Sequence, residues 1–140
     1  MQESPFVIHR DIFLNGKYGT AYLLQQFALH LRNPCQYPFV IDHHKGGFDT
    51  RHLQIYQEMK DWFWEHGEAS EGFREVVDII EVRATEGAKK ILAELTRLQA
   101  MRPEDYHHHP DSDQLTSYQA DLANHQWWHQ RNVAKGYIEG

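Results

Sequence analysis

Between Glu71 and Met101 the chain carries apolar residues at Phe73, Val77, Ile80, Ala84, Ala88, Ile91, Leu95 and Leu98. Steps of three and four place all of them along one side of an α-helix. Val76, Ile79, Leu92 and Met101 widen that side beyond a narrow coiled-coil seam, and Arg74, Glu75, Asp78, Glu86, Lys89, Lys90 and Arg97 occupy the other. Ser70 is placed to cap the start, and Pro103 closes the end. Gly87 costs about 1 kcal/mol in mid-helix, but the pattern crosses it without a phase slip, so the spacing predicts one helix over 71–101. At 1.5 Å per residue such a helix is roughly 45 Å long. A round domain of this chain length is about 37 Å across. The expectation is an all-α, elongated bundle in which either the fold or a second copy covers the overhanging stripe.

The remaining segments supply the other helices. Residues 5–14 are apolar at both ends and read as a helix or an extended arm, broken at Asn15-Gly16. From Lys17 to Leu31 a helical side forms from Tyr22, Leu23, Phe27 and Leu31, broadened by Leu24 and Ala28, and Asn33-Pro34 stops it. Residues 33–47 form a loop. Asp49 or Thr50 then caps a helix reaching His66, with Gly67 just past its end and Ile55, Tyr56, Met59, Trp62 and Phe63 as its apolar face. A polar connection over 102–110 leads to Asp111 or Ser112 as cap of a last helix ending near Lys135. Its apolar line is Leu115, Tyr118, Leu122 and Val133. About four main helices therefore make one helical domain over 1–140, with the third as its centre.

Charge and cysteine content narrow the function classes. The net charge is −6 and no Lys/Arg run exists, which argues against a nucleic-acid phosphate footprint and a nucleic-acid partner. The single cysteine, Cys35, excludes an internal disulfide and a multi-cysteine zinc site. No apolar run approaches the length of a membrane span and no basic-then-apolar leader opens the chain, so a cytoplasmic protein is expected.

At residues 15–39 the chain reads Gly16, Gly19, Phe27, Leu29, Leu31, Asn33, Tyr37, Pro38 and Phe39, followed after an insertion by Phe48, Asp49 and Leu53. This pattern resembles a family of small uncharacterised proteobacterial helical domains found on plasmids and integrative elements. The resemblance covers residues 15–53. It implies a helical bacterial domain and brings no activity with it.

Eleven histidines are the compositional oddity. His125 and His129 stand four apart on the last predicted helix, the spacing that sets two imidazoles on one metal ion. The intervening Gln126, Trp127 and Trp128 lack the glutamate base of a zinc protease. Asp42-His43-His44 looks like the metal-binding triplet of a phosphoesterase superfamily, with His9 and Asp11 as further candidate ligands. That chemistry needs carboxylates converging at a sheet edge around two metals about 3.5–4 Å apart, and a polar loop between helices is the plainer reading. His107, His108 and His109 fall in a predicted exposed loop. No Gly-x-Ser-x-Gly elbow or phosphate loop is present.

The functional expectation is a non-enzymatic protein-interaction module, homodimeric, acting through Trp62, Trp64, Trp127, Trp128, Leu95 and Leu98. Four indoles exceed what one stripe per helix can cover, and Trp is favoured at interface anchors. The alternative is a metal-binding protein or metal-dependent hydrolase using His43, His44, Asp42, His125 and His129 with a divalent metal. Otherwise no cofactor is expected.

Overall fold

The computed structural model describes residues 3–107, 110 and 112–140, with Lys45 described by its backbone only. The fold is all-α, and among the described residues every regular element is an α-helix or a short 3-10 turn. The first segment, 5–14, is helical in two pieces, α1 (Pro5–Ile8) and α2 (Arg10–Asn15). Pro5 sits in the first turn of α1, where its missing N–H costs nothing, and Ser4 Oγ accepts the Phe6 N–H at 3.2 Å. The remaining helices are α3 (Gly19–Arg32), α4 (Thr50–His66), α5 (Phe73–Ala100) and α6 (Gln114–Ala134).

Helix α5 runs through Gly87 as one element. Of the predicted stripe, Phe73, Val77, Ile80, Ala88, Leu95 and Leu98 are buried and Ala84 and Ile91 are half-buried, while Val76 joins the buried set. Two boundary expectations are corrected. Ser70 does not cap α5, because its hydroxyl turns back to donate to the Gly67 carbonyl at 2.7 Å and closes the preceding 3-10 turn. The cap of α6 is Asp113, whose carboxylate accepts the Thr116 N–H at 3.0 Å, and not Ser112. The other candidate, Asp111, lies outside the described residues, as do His108 and His109.

The chain divides into two compact units, Met1–Arg83 and Ala84–Gly140. In the first, Phe6, Phe13 and Phe73 form an aromatic cluster, with the Phe6 and Phe73 rings edge to face at 5.0 Å and Phe63 5.0 Å from Phe73. Phe27, Phe39 and Tyr56 form a second, with Phe27 and Tyr56 4.5 Å apart. The buried side of α3 is Ala21, Leu24, Phe27, Ala28 and Leu29, so the expected side is rotated and Tyr22 faces water. Gly16 explains the rotation. A Cβ there would lie 2.6 Å from Ala21 Cβ and 2.5 Å from the Ile12 carbonyl oxygen, so two small residues let the end of α2 press on the start of α3.

Glu75 and Asp78, expected on a solvated side of α5, are used as clamps with Glu81. Arg10 donates to both Glu75 oxygens, Arg32 meets Asp78 at 2.6 Å, and the Tyr37 hydroxyl donates to Glu81 at 2.8 Å. The two ion pairs contribute little free energy, the Tyr37 bond is part-buried, and together they fix which residues oppose the stripe. In the second unit the buried Tyr118 hydroxyl donates to the Leu98 carbonyl at 2.6 Å, and Tyr106 donates to Asp121 at 3.0 Å. Leu115, expected on the apolar line of α6, is exposed.

Two substitutions test this account. Phe73→Ala removes the ring shared by Phe6 and Phe63 and should lower stability by about 3–5 kcal/mol in chemical denaturation. Gly87→Ala should raise it by about 0.5–1 kcal/mol, because a Cβ at Gly87 meets nothing within 4 Å and the helix is unbroken there.

Candidate functional site

The candidate interface residues separate by burial. Leu95 and Leu98 are buried within the chain and offer no surface to a second copy, which corrects their assignment to an interface. Trp64 is 89% exposed, and Leu53 lies exposed on the same side of α4. Trp62 is half-buried and stacks on His66, with centroids 4.2 Å apart and planes at 19°. His66 Nδ1 donates to the Trp62 carbonyl at 3.0 Å, which holds the stack. Trp62, Pro5 and Ile8 line a groove of about 430 Å³ together with Glu3, Glu58, Asp61 and Glu65. In the second unit Trp127 and Trp128 are both exposed, edge to face at 4.8 Å, with the Arg131 guanidinium 4.8 Å from the Trp127 ring.

The described histidines do not converge on a common point. Among the described residues, no three His, Cys, Asp or Glu side chains are grouped to hold a metal ion. His125 Nδ1 donates to the Asp121 carbonyl at 2.9 Å and lies 3.0 Å from Asp121 Oδ1, leaving Nε2 as its only candidate ligand atom. His129 Nδ1 is buried and meets no hydrogen-bond partner among the described residues. Asp42 and His43 sit in a 3-10 turn, Ile41–His43, and the His44 ring stacks on Phe39 at 5.1 Å. No strand precedes the triplet among the described residues, so the sheet edge that phosphoesterase chemistry requires is missing there. Asp42-His43-His44 and the His125/His129 pair belong to different units. Cys35 is an exposed free thiol.

One arrangement escaped the sequence reading. Asp49 Oδ1 caps α4 by accepting the His52 N–H at 2.8 Å, and the same oxygen lies 2.8 Å from His52 Nδ1. On the far side of that ring, Nε2 is 2.9 Å from the Tyr18 hydroxyl. His52 is buried, while Tyr18, at the start of α3, is 44% exposed. The backbone and side-chain hydrogen bonds from His52 hold the Asp49 carboxyl below the usual carboxylate range. The local signal was Asp-x-x-His at a helix start. Tyr18 lies a full helix and loop earlier, and no spacing rule links the two.

The same bonds predict a pH dependence. A carboxylate whose pKa is depressed on folding adds stability above its unfolded pKa, and that stability is lost as pH falls through the folded value. Thermal midpoints of the wild type and Asp49→Ala should therefore differ at neutral pH and converge as the pH drops below about 4. Comparison with protein-family models, with curated proteins and with solved structures finds no match to this chain.

Proposed function

We propose that the chain is a non-enzymatic protein-interaction module that pairs with a second copy of itself through an aromatic-rich helical surface. The observation behind this reading is Trp64, 89% exposed on the outer side of α4. Covering an indole removes about 150–250 Å² from water, which is roughly 4–6 kcal/mol before the costs of association. Leu53, Gln57, Lys60 and Trp64 recur at helical spacing along that side, and neither of the two intervening residues is acidic. An antiparallel, two-fold contact between two such helices sets each Trp64 over Leu53 of the other copy. This is the self-complementary geometry that homodimers use. Trp127 and Trp128 give the second unit an aromatic surface of its own.

The metal-dependent alternative, on His43, His44, Asp42, His125 and His129, has no support of comparable weight, because the described side chains offer no group of three donors. Among the described residues no helix is long and apolar enough to cross a membrane. The resemblance at residues 15–53 adds a bacterial, mobile-element setting and no activity.

Sedimentation equilibrium across the micromolar range tests the pairing. The wild type should sediment as a dimer. Trp64→Ala should weaken the dimer by at least about 2 kcal/mol, or roughly 30-fold in Kd. A strictly monomeric wild type rejects the self-association reading.

A further inference from the structure

The bonds among Asp49, His52 and Tyr18 run in one direction. A carboxylate can only accept, and Asp49 Oδ1 faces both the His52 N–H and Nδ1, so Nδ1 carries the ring proton. In the neutral ring Nε2 is then an acceptor, and the Tyr18 hydroxyl must be the donor at 2.9 Å. His52 is buried and Tyr18 is 44% exposed as a residue, so the bond between them is part-buried at the edge of the first unit. A nucleophile within hydrogen-bond reach of a base, itself oriented by a third group, is the arrangement that activates hydroxyls.

Two other hydrogen-bonded tyrosines serve as a contrast. Tyr118 donates to a backbone carbonyl, which cannot take its proton, and a pin of that kind meets every structural need. Tyr106 donates to Asp121, and that bond pushes the phenol's pKa up, which makes it a poorer nucleophile. Tyr18 alone among these three faces a ring nitrogen.

We propose that Tyr18 is an acyl-accepting nucleophile, with His52 as its general base and Asp49 as the positioning residue, and that it takes the acyl group of a small activated ester. The Tyr18 oxygen attacks the ester carbonyl carbon, so an O–C bond forms and the bond to the leaving alkoxide or phenolate breaks. The phenol proton passes to His52 Nε2. The resulting imidazolium, held by Asp49, returns that proton to the leaving group or to water. No electron changes hands and no co-reactant is needed.

Tyr22 provides an internal control. It neighbours Tyr18 on α3, is 51% exposed against 44% for Tyr18, and its hydroxyl makes no hydrogen bond to a base among the described residues. The full chain is treated with p-nitrophenyl acetate, and O-acetylation at each tyrosine is followed by peptide mass spectrometry. Tyr18 should acetylate at least about tenfold faster than Tyr22, a modest share of what general-base assistance supplies. His52→Gln should bring Tyr18 down to the Tyr22 rate. Asp49→Asn, which keeps a helix cap, should lower the Tyr18 rate with Tyr22 unchanged, a readout that a purely structural pin would not move. If exposure alone governs reactivity, Tyr22 will match or outrun Tyr18, and the proposal fails. It also fails if the Tyr18 to Tyr22 ratio survives both substitutions. Should Tyr22 itself speed up in His52→Gln, that variant has loosened, and Asp49→Asn decides the matter.

Discussion

Removal of the α5 stripe from water is the constraint on which the rest depends. Its apolar residues are not uniform along the helix. Phe73, Val76, Val77 and Ile80 are large and buried, Ala84 and Ala88 follow, and half-buried Ile91 with buried Leu95 and Leu98 restores bulk beyond them. Hydrophobic stabilisation scales with apolar area, so two alanine positions contribute far less than the side chains on either side. The core accordingly gathers at both ends of the stripe. The division of the chain at Arg83 and Ala84 falls where the side chains become small.

Around the first half of that stripe, polar residues do the sorting. Glu75, Asp78 and Glu81 recur every three residues, and each takes a donor from a different earlier segment: Arg10 on α2, Arg32 at the end of α3, and Tyr37 in the loop beyond. The apolar face can accept many partners in many registers, since burial is non-directional. A guanidinium or phenol held at hydrogen-bond distance cannot slide by a turn. Arg83, off that row, donates to the Leu14 carbonyl and anchors the end of α2.

The periodic features were legible because they depend on spacing alone. The α5 stripe, the Asp49 start and Gly67 stop of α4, and the last helix all follow from residues close in sequence. Those expectations failed where a distant neighbour intervened. Tyr22 belongs to the apolar side of α3 by type, but contact between Gly16 and Ala21 turns that side toward Leu24 and Ala28. Leu95 and Leu98 looked like surplus for a second molecule, and the chain uses them itself. The positive φ of Gly72, with Val7 Cγ2 3.0 Å from where its Cβ would be, was equally invisible, because it answers to a segment some sixty-five residues earlier.

The candidate site divides along the same line. Histidine pairs at helical or adjacent spacing drew attention because spacing is what a sequence displays, yet His125 is engaged by Asp121 and His44 stacks on Phe39. His52 drew none, because a cap three residues away and a phenol thirty-four residues away share no period. A neutral imidazole has one donor and one acceptor, so whichever atom claims Nδ1 decides what Nε2 can do. Asp49 is fixed by its backbone bond at the first turn of α4 and therefore sets which ring nitrogen carries the proton and which faces Tyr18. The orientation of the His52 ring is thus a consequence of helix capping. It persists for as long as α4 starts at Thr50.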